Sequence, residues 1–426
     1  MCYAIPGRLV EIQDNIGTVN YFGEKKRVII DHEVKIGDYV YAQGGVLINT
    51  IPKEEAEEIL KFWKEKFFEL KKVDKKLSQV ENINASDNLL EVLQKVNLSK
   101  ELEKEEIKYL LSLKDKEELK LLYETANNIR QKDHDNACCV HGIIEFSNYC
   151  ASDCFYCGIR KSKNMKRYRM EPDEIINTAK KAVDELGFKA LVLQSGEDLY
   201  YNEEKLVKIV TELKKLGILI FLSIGSRDKE LYKKLFDAGA KAALLRFETS
   251  NEDLFRKLRP NTKLKDRIAL IKSLNEIGYI IATGFIVGLP GETKDDLVNN
   301  ILLTKSLNAD MYSFGPLMPA AETPLKNKNI PSKEKVLKTI AVTRFVDRKS
   351  KILVTTALET LNKDARKEGL LAGANSLMIN ITPEKYSKLY SIYDNKSEVD
   401  DDIQQTIKNT VNLLYSLGRA PTDLGI

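Results

Sequence analysis

The stretch CVHGIIEFSNYCASDCFYCGIR, residues 139 to 160, joins a strand-like apolar run to a loop holding three cysteines. Cys150, Cys154 and Cys157 stand at the spacing C-x3-C-x2-C. Thiolates this close suggest a metal, yet three is one short of a closed tetrahedral zinc site. No further Cys-x-x-Cys pair exists, no cysteine follows Cys157, and His141 lies inside the expected strand. Three thiolates can instead hold three irons of a 4Fe–4S cluster and leave the fourth iron open. A catalytic centre needs an open position; a structural site avoids one.

Outward from that loop, strand-like runs alternate with amphipathic helical segments. After CVHGIIEFS come KALVLQS (189–195), ILIFLSIG (218–225), KAALLRFE (241–248), YIIATGFIVG (279–288), DMYSFGP (310–316), KILVTTA (351–357) and NSLMINI (375–381). Eight such repeats over about 240 residues predict an α/β fold, a closed (β/α)8 barrel of the TIM type. An open doubly wound sheet is the alternative. Loops at the C-terminal ends of barrel strands carry active sites, and the cysteine loop is one of these.

The first ~50 residues read differently. RLVEI, GTVNYF, KKRVIID and DYVYAQGG are β-branched or aromatic runs with turn residues between them, the pattern of a small β-barrel. A helix follows Pro52, with Ala56, Leu60, Trp63, Phe67 and Leu70 on one face. The expected organisation is a small β-barrel plus helix over residues 1–72, a polar linker over 73–90 and a helical lead-in over 91–136. The (β/α)8 barrel follows over 137–400, with a C-terminal helix and tail over 401–426.

Composition bounds the function. The chain has 426 residues, 43% hydrophobic and 31% charged, with a net charge of +4. That balance is too mild to suggest nucleic acid. No apolar run approaches the ~18 residues of a membrane span, and the N-terminus lacks the pattern of a signal peptide. Six cysteines, half of them clustered, argue against a disulfide framework and for a reducing cytoplasm. Cys138 and Cys139 are adjacent, so in a strand they point to opposite faces and cannot share a metal.

C-x3-C-x2-C after the first strand of a parallel barrel resembles the radical S-adenosylmethionine (radical SAM) superfamily. The resemblance implies that Cys150, Cys154 and Cys157 hold one 4Fe–4S cluster whose open iron binds SAM, and that reductive cleavage yields a 5′-deoxyadenosyl radical. It places Tyr156 at the adenine and Ser195, Gly196 and Glu197 of LQSGED at the amino group of SAM. Glycines 284, 288 and 291 in GFIVGLPGET allow close approach of backbone to a ligand.

Over about residues 88 to 426 the stretches GIIEFSNYCASDCFYCGIRKSKNMKRYRMEPDEII, LVLQSGED, LRFETSNEDLFRKLRPNT and NITPEKYSKLYSIY resemble the HydE family of iron–iron hydrogenase maturases. The substrate this implies is a small, amino-acid-like organometallic species, a cysteine-bound iron with CO and cyanide ligands, used to build the diiron subcluster of the H-cluster. Glu248 and Arg267 match positions at SAM. Arg246, Thr355, Thr356, Met378, Tyr390 and Tyr393 match positions lining the substrate cavity. Other maturation proteins and an electron donor are the implied partners. Some family members carry extra C-terminal cysteines for a second cluster; YDNKSEVDDDIQQTI has none.

Residues 1 to about 72, opening MCYAIPG, resemble the HypC family of hydrogenase assembly chaperones. That family has an OB-like β-barrel and an N-terminal cysteine, here Cys2, which handles iron or docks a partner. The family's histidine before the paired small residues is Gln43 here, which weakens the iron-carrier reading. The expectation is that this front domain delivers or docks its cargo near the barrel mouth. Two rivals remain: a methylornithine-synthase-like or biotin-synthase-like radical SAM enzyme, and a non-enzymatic iron-fragment scaffold.

Overall fold

The computed structural model describes residues 4–81, 85–396 and 402–423. Five strands come first: β1 (Gly7–Gln13), β2 (Ile16–Tyr21), β3 (Glu24–Ile29), β4 (Tyr39–Gln43) and β5 (Val46–Ile51). They close in the order β1-β2-β3-β5-β4, the five-stranded arrangement of an OB-like barrel. β5 is one strand more than the sequence reading assigns. Its apolar start runs straight into Asn49 and Thr50, and only pairing with β4 (Tyr41↔Asn49) holds that polar end in a sheet.

Helix α1 (Lys53–Leu77) packs Trp63, Phe67 and Leu70 on this barrel. It runs well into the stretch expected to be a linker. Asp74 is the reason. It reads as a polar loop residue, but it is fully buried and accepts from Arg130 (2.7 Å to each oxygen) and Arg419 Nε (3.0 Å). Helices α2 (Asp87–Asn97), α3 (Lys104–Ser112) and α4 (Lys116–His134) then lead into the large barrel.

That barrel is formed by β6 (Cys139–Ser147), β7 (Ala190–Ser195), β8 (Leu219–Ser223), β9 (Ala242–Leu244) and β10 (Ile280–Thr283). After the short β11 (Ile286–Val287) come β12 (Met311–Tyr312), the short β13 (Gly315–Pro316), β14 (Lys351–Val354) and β15 (Ser376–Asn380). Eight parallel strands close in the order β6-β7-β8-β9-β10-β12-β14-β15, with β15 hydrogen-bonded back to β6 (Met378↔His141). β11 and β13 extend the fifth and sixth strands as a separate pair at the C-terminal end. Closure with helices outside makes this a (β/α)8 barrel, as the eightfold alternation predicts.

Alternation along β6 sorts its side chains. Cys138, Val140, Ile144 and Phe146 pack outward in the large helix-covered core. Ile143 and Glu145 face inward and reach the cavity described below. Cys139 and His141 share their phase deeper in the lumen, both buried, where burial pushes the His141 imidazole down to about 4.

The front domain sits at the opposite end from the cysteine loop, and the expectation of delivery near the barrel mouth is corrected. Its contacts are to residues at the N-terminal starts of barrel strands. The Tyr41 ring meets Lys189 (5.2 Å), Asp31 pairs with Lys241 (3.5 Å), and Ile48 joins the apolar cluster of the barrel lumen. The β4–β5 turn enters deepest. Gly44 N donates to Asp423 Oδ2 (2.7 Å), which also pairs with Lys351 (2.9 Å). Gly44 has φ +61°, and a Cβ there would stand 2.9 Å from Ile280 Cδ1. Only a residue without a side chain fits both the backbone and the space. Cys2 lies outside the described residues.

Candidate active site

The cysteine loop follows β6, and its shape is imposed by backbone hydrogen bonds from four separate elements. Phe155 N donates to Leu258 O (2.9 Å), Gly158 N to Ile392 O (2.8 Å), Ala320 N to Tyr156 O (3.0 Å) and Ala151 N to Glu197 O (2.9 Å). Inside the loop, Arg160 grips Asp153 through two contacts (2.7 and 2.6 Å) and holds its carboxyl well below the usual carboxylate range. Arg167 donates to the carbonyls of Asn148, Ile159, Arg160 and Lys163, closing the loop base.

Glycine is required where this loop meets its neighbours. A Cβ on Gly196 would lie 2.1 Å from the Tyr149 carbonyl oxygen and 2.8 Å from Cys150 Cβ. The obstacle is backbone, so it cannot swing aside. Gly196→Ala is therefore expected to push the Cys150 segment off the QSGE turn and weaken SAM binding at least about tenfold, or about 1.4 kcal/mol. Equilibrium dialysis of SAM against the reconstituted variant measures this, and unchanged affinity refutes it.

Cys150, Cys154 and Cys157 face a cavity of about 310 Å³ at the C-terminal end of the barrel. Among the described residues no three His, Cys, Asp or Glu side chains converge on a point that one metal ion could take. All three thiols line this one cavity. His141 does not. Burial pushes the Cys157 thiol up to about 12 and raises those of Cys150 and Cys154. A metal held by these thiols would have to displace their protons.

The rest of the cavity is built from strand ends. Tyr156 packs with Leu258, Ile286, Leu289 and Leu317, an apolar wall suited to a flat ring. Ser195 ends β7, and Gly196 and Glu197 follow it. Burial alone would raise the Glu197 carboxyl, but Arg267 and Arg259, each at 3.3 Å, lower it from its ordinary value. Arg246 pairs with Glu248 at 2.9 Å after β9. Glu248 has φ +69°, a left-handed backbone that costs a glutamate on the order of 1–3 kcal/mol. Such strain persists where the surroundings insist on it, here through Glu248 N to Gly284 O and Ile286 N to Glu248 O.

Thr355, Thr356, Met378, Tyr390 and Tyr393 complete the far side of the same cavity. The Thr355 Oγ1 is buried without a hydrogen-bond partner in the structure. Every barrel side chain expected at the cluster, SAM or the substrate lines this one space, whereas Gly284, Gly288 and Gly291 do not line it. Sequence reading missed Arg259, although it stands in the quoted LRPNT. It also missed Glu145, Gln194, Asn380 and Lys396; the first three stand within quoted stretches, but their meeting with one another and with Lys396 depends on the pairing of β7 and β15 with β6 and on the C-terminal segment.

Three thiols line one cavity at the catalytic end of such a barrel, with no fourth cysteine and no histidine among the described residues that line it. That is the arrangement of radical SAM enzymes, and this chain is of that class. The profile of the Radical SAM superfamily matches residues 144–303, that of the HupF/HypC family residues 1–63, and that of the Biotin and Thiamin Synthesis associated domain residues 313–410. FeFe hydrogenase maturase subunit HydE of Thermotoga maritima is 41% identical over 332 residues, covering 78% of this chain and 95% of that protein. A 3-methylornithine synthase of Methanosarcina acetivorans is 32% identical over 326 residues, covering 75% and 91%. The crystal structure of methylornithine synthase matches with a TM-score of 0.71 at 27% identity, over 78% of this chain and 97% of that one. The chain belongs to the HydE family, with a HypC-like domain at its front. No described helix is long and apolar enough to cross a membrane.

Proposed function

We propose that this enzyme matures FeFe hydrogenase by radical chemistry on a cysteine-bound iron carrying CO and cyanide, a precursor of the diiron subcluster. The observation that carries the reading is the single cavity onto which the thiol triad, the QSGE turn and the Arg246–Glu248 pair all open. Cys150, Cys154 and Cys157 would hold a 4Fe–4S cluster, which would supply the electron for reductive cleavage of SAM.

The chain's own residues bind, orient and exclude water. Tyr156 and its apolar wall take the adenine. Ser195, Gly196 and Glu197 receive the amino group of SAM, with Arg267 fixing Glu197 and Glu248 beside it. Arg246 and the hydroxyls of Thr355 and Thr356 meet the substrate carboxylate, a task for fixed donors. Met378, Tyr390 and Tyr393 wall the reacting end and keep the radical from solvent. The front domain, remote from this mouth, serves as a docking module for other maturation proteins.

A synthetic cysteine–iron dicarbonyl cyanide complex tests the reading. Reduced, reconstituted enzyme with SAM is expected to convert it, with new CO and CN infrared bands and 5′-deoxyadenosine products. Turnover of lysine in its place would assign the enzyme to methylornithine synthesis, the second reading favoured by the 32% identical relative. No SAM cleavage at all would favour the scaffold.

A further inference from the structure

Glu145 is the last inward residue of β6, faces the cavity and is 2% exposed. An ionised carboxylate so deep is costly unless it is paired and hydrogen-bonded. Three donors meet it. Gln194 Nε2 reaches Oε1 at 3.4 Å, Asn380 Nδ2 reaches Oε2 at 3.0 Å, and the Lys396 ammonium pairs with Oε1.

The three donors differ in kind. Gln194 and Asn380 belong to barrel strands β7 and β15, and each amide is fixed at its other end. Gln194 Oε1 accepts from Ser223 Oγ (3.4 Å) and Asn380 Oδ1 from Thr382 N (3.0 Å). Together they form a neutral, preorganised socket that still needs a cation. Lys396 comes from elsewhere, the C-terminal segment that lies across the cavity and also supplies Tyr390 and Tyr393. A compact ammonium on a flexible stem is an exchangeable partner in a way that the two strand-borne amides are not.

The other carboxylates lining the cavity are committed. Glu197 is held between Arg259 and Arg267, and Glu248 by Arg246, all cations that also line the site. A substrate derived from an α-amino acid brings an ammonium as well as a carboxylate. The Arg246 side can serve the carboxylate, and the ammonium needs a buried anion with an exchangeable partner.

We propose that Glu145 is the specificity-determining acceptor for the ammonium group of an amino-acid-derived substrate, and that Lys396 competes for the same carboxylate. Substrate entry then exchanges one ammonium for another at constant buried charge. This rests on the amino-acid-like substrate class of the proposed function.

The test is calorimetric titration of the reconstituted, SAM-loaded enzyme with two probes. S-methyl-L-cysteine carries the ammonium; 3-(methylthio)propanoate keeps the carboxylate and thioether without it. Glu145→Gln is expected to weaken S-methyl-L-cysteine at least about tenfold, the order of one charged hydrogen bond, and to leave the other probe unchanged. Lys396→Met, which removes the competitor, is expected to tighten S-methyl-L-cysteine alone. A lysine that merely props the segment would instead weaken both probes when replaced, which would overturn the exchange. Glu145→Gln with equal effects on the two probes, or none, overturns the acceptor role, and unaltered SAM affinity in each variant shows that the site is folded. Wild-type enzyme that binds neither probe overturns the substrate class and this inference with it; a wild-type binder with an indifferent Glu145→Gln overturns this inference alone.

Discussion

Anaerobically reconstituted enzyme is expected to carry about four irons per chain, and Cys154→Ala fewer than about one, with SAM cleavage reduced to background. Cys154 is the middle thiol of the triad and 7% exposed. Its loss leaves two thiols on the wall, and among the described residues no other cysteine lines the cavity. Cys138 is packed outward in the helix-covered core and Cys139 is buried outside the cavity, so neither joins the wall. Iron and sulfide quantitation with electron paramagnetic resonance of the reduced protein measures both halves. Eight irons in the wild type would reveal a second cluster and refute the single-cluster assignment, and a variant that keeps its iron would refute the ligand.

The second large effect concerns stability. Asp74→Ala is expected to destabilise the protein by ~3–5 kcal/mol, the cost of removing one partner from a buried ion pair. Asp74 on α1 is met by Arg130 from α4 and Arg419 from the C-terminal tail, and all three side chains are fully buried. Arg130 keeps Ser78 Oγ (3.0 Å) and Asn127 Oδ1 (2.8 Å), and Arg419 keeps carbonyls of Ala374 and Leu370. Neither set replaces the lost negative charge, so two guanidiniums remain buried without a counter-ion. The chain's single tryptophan, Trp63, lies buried on the same helix and reports the front domain. Urea unfolding followed by its fluorescence should shift to lower denaturant and separate from the circular dichroism transition of the barrel. A loss below about 1 kcal/mol would show that the arginines find other partners.

Much of this molecule was legible in one dimension because its signals are local. A strand alternates every two residues and a helix every 3.6, so eight βα repeats show in the sequence before any contact forms. The thiol triad spans a short loop, and QSGED and RFE sit directly at strand ends. Closure of the barrel then brings consecutive strand ends together almost automatically, which is why residues chosen one motif at a time line one cavity. The misreadings have the opposite character. Asn49 and Thr50 look like an exit from the sheet, and Asp74 like a loop, because their partners lie in other segments.

Local spacing was thus sufficient for the class of enzyme and for the catalytic end of the barrel, where the three thiols share one cavity. Tertiary structure alone settled three matters: that the front domain caps the N-terminal end through Gly44 and Asp423, that Asp74 gathers Arg130 and Arg419, and that Glu145 meets Lys396. In each case the partners are far apart in the chain and carry charge or lack a side chain. Burial changes what such residues mean. A carboxylate that is solvated and inexpensive in an isolated segment becomes, once water is excluded, a group that must find a cation.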